Sequence, residues 1–180
     1  MDTISCIKGR RSIRKYEDKK IPHELMEEIV EAASYAPSWK NTQIIRYIIV
    51  EGKETIQEIA QNCVLGFEYN TKTMTNAAAL VLITIVEGRS GFERDGSFST
   101  SKGDRWEMFD AGIASQTFCL AAHDKGVGSV ILGIFDDKKT GEAVSLPEGQ
   151  KVAAIIAVGY PEIVPEAPKR KTPAELISYR

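Results

Sequence analysis

The chain has 180 residues, a formal net charge of −2 and a sequence pI near 5.8. This length fits a single domain over residues 1–180, and 43% hydrophobic with 27% charged residues is typical of a soluble globular protein. The acidic pI argues against a nucleic-acid binder, which needs a broad basic surface.

The first distinctive segment is basic. Residues 8–16, KGRRSIRKY, carry five cationic side chains in nine positions. Three interpretations are open for this segment alone: a solvated turn, a nucleic-acid contact, or a seat for a small anionic ligand. The planar guanidinium groups of Arg10, Arg11 and Arg14 suit bidentate contact with phosphate, and Ser12 adds a hydroxyl donor.

The next elements follow from hydrophobic periodicity and from helix-end signals. Residues 21–38 predict a helix that begins near Pro22 and ends at Pro37. The β-branched run 46–52 predicts a strand, and the apolar stripe within 53–64 predicts a second helix. Residues 78–87 are apolar on both faces, which predicts a buried central strand.

Residues 88–104 are polar, rich in Gly and Ser, and without periodicity. A segment of this kind is either a plain insertion or a functional lid over a site. The lid interpretation makes Phe92, Arg94, Phe98 and Arg105 candidate substrate contacts.

The second half of the chain begins with a long helix over 104–126 that is apolar on most sides, as in a core or at a subunit interface. Strands are predicted at 127–135 and 151–160, with a short helix after Asp136 between them. Residues 160–180 hold four of the seven prolines and predict an extended C-terminal arm. The expected fold class is α+β, with a central mixed or antiparallel sheet flanked by helices.

Several chemistries find no support in the sequence. The glycines near residue 128 lack the GxGxxG spacing, and neither a Walker A motif nor a GxSxG elbow occurs. The two histidines belong to no metal-binding motif, so no metal site is expected, and the three cysteines predict free thiols. The start of the chain lacks a signal-peptide pattern, which together with these thiols predicts a cytoplasmic protein without membrane attachment. Without an evident nucleophile or acid–base pair, an organic cofactor is the expected carrier of any chemistry.

The chain resembles the nitroreductase family of FMN-dependent oxidoreductases. The resemblance rests on RRSIRKY at 10–16, APSWKNTQ at 36–43, the helix and strand over 106–136, and the closing strand with its basic tail at 152–177. Two departures stand out: NTQIIRY lacks the Pro and Trp of the common NSQPW pattern, and ILGIFD replaces an acidic PxEG segment of larger relatives. These departures bear on the substrate more than on the cofactor.

The resemblance implies an intertwined homodimer with FMN at the interface and NADH or NADPH as the electron donor. It implies that Arg10, Arg11, Ser12 and Arg14 hold the phosphate, ribityl and pyrimidine side of FMN. The remaining cofactor contacts that it implies are Lys169 and Lys171 at the phosphate, the backbone around Leu132 and Gly133 beside the isoalloxazine, and Pro37, Ser38, Asn41 and Gln43 from the other subunit.

The function expected from the resemblance is ping-pong transfer of electrons from NAD(P)H to electron-poor acceptors such as nitroaromatics or quinones. No protein side chain is expected to act as a catalytic acid or base, since FMN carries the chemistry. Three alternatives keep the flavin: a reductive dehalogenase, a flavin-remodelling enzyme and a non-enzymatic flavin sensor.

Overall fold

The computed structural model describes all of residues 1–180, and it is an α+β fold built on one antiparallel sheet. The helices are α1 (Thr3–Gly9), α2 (His23–Ser34), α3 (Lys53–Asn62), α4 (Glu68–Thr75), α5 (Arg105–Asp124), α6 (Asp137–Ala143) and α7 (Pro173–Leu176). The strands are β1 (Ile45–Val50), β2 (Ala79–Val86), β3 (Gly128–Leu132) and β4 (Gln150–Gly159), in the spatial order β1-β2-β4-β3. No helix is long and apolar enough to cross a membrane.

The surroundings of the central strand β2 explain why residues 78–87 are apolar on both faces. Its even-numbered residues Leu80 and Leu82 belong to one core cluster, together with α3, whereas Val81 and Ile83 belong to a second cluster beneath α2 and α5. Successive strand residues point to opposite faces, so a sheet covered on both sides needs apolar residues at every position. The predicted buried strand is confirmed.

The four predicted strands and the four predicted helices are present, and the sheet is purely antiparallel. Three short helices were not predicted: α1, α4 and α7. They have seven, eight and four residues, too few turns for a clear hydrophobic period. The C-terminal arm is exposed from Glu162 onward, as expected for an extended segment.

The basic segment is anchored beside β3, an edge strand of the sheet. The Ile13 backbone N–H donates to the carbonyl of Ser129 at 3.0 Å, and the Ile13 side chain is buried in the core. The Tyr16 hydroxyl lies 2.6 Å from the carbonyl oxygen of Ile13 and 2.9 Å from that of Ala157 on β4. Burial raises the pKa of Tyr16, so its hydroxyl remains a protonated donor to these carbonyls.

Two glycines permit this close approach. A Cβ at Gly128 would lie 2.8 Å from the Ile13 side chain, and a Cβ at Gly159 would lie 2.7 Å from the Tyr16 ring. Contacts this short do not occur between real side chains and would push the basic segment away from the sheet.

We expect Tyr16→Phe to lower the free energy of unfolding by about 1–3 kcal/mol, since it leaves buried carbonyl groups without their donor. Urea unfolding measures this loss. The control is Tyr35→Phe, because Tyr35 is 84% exposed and its hydroxyl makes no hydrogen bond within the protein. Equal stability of the two variants would contradict the anchoring role of Tyr16.

Candidate functional site

The structure divides the predicted site residues into two groups. The first group lies beside β3 and near the C-terminal end of α5, and contains Arg10, Arg11, Ser12, Arg14, Leu132 and Gly133. The second group lies near the N-terminal end of α5, and contains Pro37, Ser38, Asn41, Gln43, Phe92, Arg94, Phe98 and Arg105. Asp110 touches the second group and His123 touches the first, and these residues are about 20 Å apart along the helix at 1.5 Å per residue.

The first group follows the open edge of β3. The Ser129 carbonyl accepts a hydrogen bond from the Ile13 N–H, which shows that it points away from β4. Along a strand, the backbone N–H and C=O groups of successive residues point alternately to the two neighbouring sides. The N–H and C=O of Ile131 therefore point outward as well, and neither has a partner in the protein. Gly133 is exposed beyond them, whereas the Leu132 side chain is buried in the core and leaves only its backbone for a ligand.

Two clefts beside this edge are lined by cationic side chains. Arg10 and Arg11 line a cleft of about 250 Å³ together with His123 and Ser129. Arg14 lines a neighbouring cleft of about 340 Å³, where its guanidinium lies 5.7 Å from the centre of the Tyr69 ring. The open edge therefore runs between positive charges on both sides.

Sequence analysis missed part of the Arg14 cleft. Tyr69, Lys72 and Asn76 line it with Arg14, and all three come from α4 or its C-terminal end. The polar residues YNTK at 69–72 were the available signal for a polar site. However, α4 has no strong hydrophobic face that would have identified a helix there. The side chain of Asn70 is also buried and donates to the Ile134 carbonyl, which fixes the chain after β3.

The two C-terminal lysines are not in contact with the first group in this structure. Lys169 and Lys171 are exposed on the arm, which leaves the body of the protein at the Arg10 cleft, since Pro161 and Val164 line it. Lys169 is five positions beyond Val164, a distance of at most about 17 Å when the chain is extended.

The second group is organised by the loop that follows α2. Lys40, Asn41 and Gln43 have φ angles of 45°, 56° and 48°, a left-handed conformation that is rare for residues other than glycine. The Ser38 hydroxyl oxygen accepts from the Gln43 N–H at 3.0 Å, and this bond helps to hold the unusual conformation. Such strain persists only where the surroundings fix it, and it is concentrated at functional sites.

Asp110 on α5 is the main anchor of this loop. Its carboxylate is 2% exposed and accepts from the Trp39 N–H with both oxygens at 3.1 Å. It also accepts from the Ser90 hydroxyl at 2.7 Å, so that one buried carboxylate holds both the strained loop and the start of segment 88–104. A buried carboxylate needs several donors because its desolvation is otherwise costly.

Segment 88–104 is folded into a small hairpin. Phe92 and Phe98 form an isolated antiparallel bridge with their ring centres 5.0 Å apart, and a turn at Glu93–Gly96 joins them. The buried Glu107 carboxylate accepts from the Gly88 N–H at 2.7 Å and pairs with Lys151 at 2.7 Å. The segment is therefore tied to α5 at its first residues.

The hairpin lies against the strained loop. Glu93 pairs with Lys40 at 3.1 Å, and Trp39 packs on Trp106 with ring centres 4.6 Å apart. Phe98 is 59% exposed, and Arg94 is exposed at the turn. Arg105 donates to the carbonyl groups of residues 101 and 102, so its guanidinium is partly occupied by its own turn. The four candidate substrate residues are therefore associated with the second group, and whether they contact a substrate stays a prediction.

Five buried polar side-chain atoms have no hydrogen-bond partner; one belongs to Arg10 of the first group, and the other four belong to residues beside one of the two groups. They are Arg10 Nε, His123 Nε2, Ser129 Oγ, Trp39 Nε1 and Thr42 Oγ1. Buried polar groups without partners are rare in folded proteins and call for a ligand or another partner. The first three line the Arg10 cleft or the β3 edge, and the other two belong to the strained loop.

His123 is a residue that sequence analysis did not assign to the site. Burial and, after it, the positive charges of Arg10 and Arg11 hold the pKa of His123 below its ordinary value. Its imidazole is therefore neutral at pH 7.

These features define an α+β protein with a divided site, one half rich in cations beside a free strand edge and the other half a strained, amide-bearing loop. The family model of the Nitroreductase family matches residues 7–160. The chain belongs to the nitroreductase family.

The relatives agree with this assignment over nearly the whole chain. A provisionally named NADH dehydrogenase/NAD(P)H nitroreductase of Methanothermobacter thermautotrophicus is 33% identical over 89% of this chain and 78% of its own length. The solved structure of an FMN-dependent nitroreductase from Clostridium difficile is 28% identical, with a TM-score of 0.73 over 96% of this chain and 94% of that one. A nitroreductase-like structure from Exiguobacterium sibiricum, solved in complex with FMN, shares the fold, with a TM-score of 0.84 over 100% and 98% of the two chains at 19% identity.

We expect Asp110→Asn to lower the free energy of unfolding by about 1–3 kcal/mol, because an amide cannot accept all the hydrogen bonds that the buried carboxylate accepts. Amide hydrogen exchange should also accelerate at Trp39, since that N–H loses its partner. Asp18→Asn is the control, because Asp18 is exposed and accepts no side-chain hydrogen bond. Unchanged exchange at Trp39 would show that Asp110 does not hold the loop.

Proposed function

We propose that this chain is an FMN-dependent oxidoreductase that takes electrons from NADH or NADPH and passes them, in two ping-pong steps, to electron-poor acceptors such as nitroaromatics or quinones. The observation that carries the proposal is the open edge of β3, bordered by Arg10, Arg11 and Arg14. The family membership and the FMN-dependent nitroreductase at 28% identity support it.

The residues beside β3 fit the chemical groups of FMN. Its phosphate needs several cationic or amide donors, and Arg10, Arg11 and Ser12 supply them, with Lys169 and Lys171 within reach on the arm. Its flavin ring has a polar edge that needs both donors and acceptors, and the free backbone groups of β3 offer both kinds.

FMN, when bound, supplies the chemistry of hydride acceptance and electron transfer. The protein's own residues bind and orient it. Arg14, with Lys72 of the same cleft, provides positive charge where negative charge would develop on reduction. Solvent is the proposed proton source.

We propose that the complete site forms between two copies of the chain. The two groups of site residues lie about 20 Å apart along α5 in one subunit. A two-fold dimer places a surface patch of each subunit against the partner, so the strained loop of one copy can meet the β3 edge of the other. Pro37, Ser38, Asn41 and Gln43 would then complete the flavin site of the partner.

Exposed apolar side chains support this dimer. Met108 and Phe109 on α5 are 52% and 58% exposed, and Ile4 and Ile7 on α1 are 58% and 48% exposed. Exposed apolar groups on this scale are typical of a surface that another subunit covers. Because Met108 and Phe109 do not face the core of their own subunit, the interface alternative is favoured for this part of α5.

We expect Arg14→Ala to weaken FMN binding by about 10- to 100-fold, because it removes a charged contact with the flavin. Flavin retained after extensive dialysis, measured by absorbance, tests this. Lys138→Ala is the control, since Lys138 is an exposed cation on α6, away from both clefts.

The same preparations test the proposed activity. Mass spectrometry of the released cofactor should identify FMN, and initial rates with varied NAD(P)H and a quinone or nitroaromatic should give the parallel reciprocal plots of a ping-pong reaction. Wild-type protein that binds no flavin would overturn the proposal, and bound FMN without NAD(P)H oxidation would favour the sensor alternative.

We expect Phe109→Asp to convert the dimer to a monomer, because it places a charge in an apolar interface, and to lower flavin content as a consequence. Analytical ultracentrifugation gives the mass, which is 19.9 kDa for one chain. Gln61→Asp, on the exposed surface of α3, should leave the dimer intact. A wild-type protein that is monomeric while saturated with FMN would contradict the shared site.

A further inference from the structure

The hairpin of residues 88–104 presents an exposed aromatic ring that is held in place. The Phe98 side chain is 59% exposed, although its ring centre lies 5.0 Å from that of Phe92 and the two residues form an antiparallel bridge. A Cβ at Gly103 would lie 3.4 Å from three atoms of the Phe98 ring, so the backbone of that residue packs against the ring. A fixed and exposed ring of this kind is a stacking surface for a planar group.

Two cations without a carboxylate partner lie on the same hairpin. Arg94 is at its turn, four residues before Phe98, and Lys102 precedes Gly103, the residue that packs on the Phe98 ring. Both cationic side chains are exposed, and neither forms an ion pair. The Lys102 ammonium group lies 4.6 Å from the centre of the Trp106 ring, which keeps it on the aromatic side of the hairpin.

The carboxylates of the hairpin face other groups. Glu93 accepts from the Ser99 hydroxyl and pairs with a lysine of the strained loop. Asp95 accepts from the N–H and the hydroxyl of Ser97, at 3.0 and 2.6 Å. Asp104 lies near a lysine of β4. The surface that the hairpin offers to a ligand is therefore basic.

The hairpin also lies beside the place where the proposed dimer would hold the flavin ring. In that dimer the strained loop of one copy meets the β3 edge of the other. The hairpin packs on this loop through the ion pair of Glu93 with Lys40 and the contact of Trp106 with Trp39. A donor whose nicotinamide lies on the flavin has a second half, the adenosine, that extends beyond the ring, and the hairpin is placed to meet it.

We propose, on the basis of the proposed function, that the hairpin selects NADPH over NADH: the adenine stacks on Phe98, and Arg94 and Lys102 bind the 2′-phosphate. The two donors differ only in this phosphate, which carries a charge of about −1.5 to −2 at pH 7. Free cations suit the phosphate, whereas recognition of the 2′-hydroxyl of NADH uses a carboxylate acceptor. The hairpin presents free cations, and its carboxylates are directed to other groups.

The first test compares kcat/KM for NADPH and NADH in the full-length, FMN-loaded protein with a quinone acceptor. Wild-type protein should prefer NADPH by about tenfold or more. Arg94→Ala and Lys102→Ala should each lower kcat/KM for NADPH about fivefold more than that for NADH, mainly through KM, since an exposed charge contact contributes on this scale. The control Lys138→Ala removes an exposed cation of α6 and should keep the wild-type ratio.

A further variant, Phe98→Leu, separates stacking from recognition of the phosphate. It should lower kcat/KM for both donors by a similar factor, about fivefold, because both carry the adenine ring. The ratio of NADPH to NADH should therefore stay near that of the wild type. A change confined to NADPH would contradict the stacking role of Phe98.

The second test measures binding and uses wild-type protein alone. Isothermal titration calorimetry of the FMN-loaded protein, whose own phosphate seat is filled, compares adenosine 2′,5′-bisphosphate with adenosine 5′-monophosphate. The bisphosphate should bind about tenfold more tightly. Raising the salt from about 0.05 M to about 0.5 M should reduce this difference, because charges on exposed side chains are screened.

The outcomes separate this inference from the proposed function. FMN-loaded protein that uses both donors equally well or prefers NADH, or that binds both adenosine phosphates equally, would overturn the selection of NADPH and leave the flavin function intact. A preference for NADPH that both cation variants retain would overturn its assignment to the hairpin. Protein that binds FMN but oxidises neither donor would overturn the proposed function, and this inference with it.

Discussion

The position of the basic segment on the edge of β3 is the constraint on which the candidate site depends. Ile13 and Tyr16 are the buried anchors of this segment, and they alternate with the polar positions that face outward. The main-chain bond from Ile13 to Ser129 and the Tyr16 hydroxyl fix its register against β3 and β4. The arginines therefore occupy defined positions beside the open strand edge, and Arg11 and Arg14 also donate to backbone carbonyl groups of their own segment.

The long helix α5 has a second structural role, because it carries buried carboxylates where a core helix normally carries apolar residues. Glu107 and Asp110 face inward and accept hydrogen bonds from the hairpin and from the strained loop. These carboxylates stabilise the helix packing less than apolar side chains would, but they fix the geometry of the two loops. Three residues with positive φ in four positions remain in place only because of such anchors.

Each end of α5 thus supports one half of the candidate site, and each half contains buried polar atoms that lack a hydrogen-bond partner. The unpartnered atoms of the chain are confined to these halves. An enzyme that uses a large cofactor benefits from this arrangement, because a ligand held between two subunits is surrounded on several sides by rigid elements. In the proposed dimer the cofactor site and the quaternary structure would depend on each other, and the exposed apolar groups on α1 and α5 support that proposal.

The sequence by itself determined the α+β class, the four strands and the helices α2, α3 and α5, because periods of 2 and 3.6 are visible in runs of this length; it also placed the short helix α6 after Asp136. It also determined the family, through motifs such as RRSIRKY that keep their order along the chain. It did not identify α4, whose short polar sequence has no clear period, or the buried polarity of α5, since Glu107 and Asp110 appear in sequence as ordinary solvent-exposed acids. Only the tertiary structure brought His123 beside Arg10 across more than a hundred residues, because proximity of that kind depends on how α1, α5 and β3 pack. For the same reason the separation of the site into two halves was decided by the length of α5 and not by any local pattern.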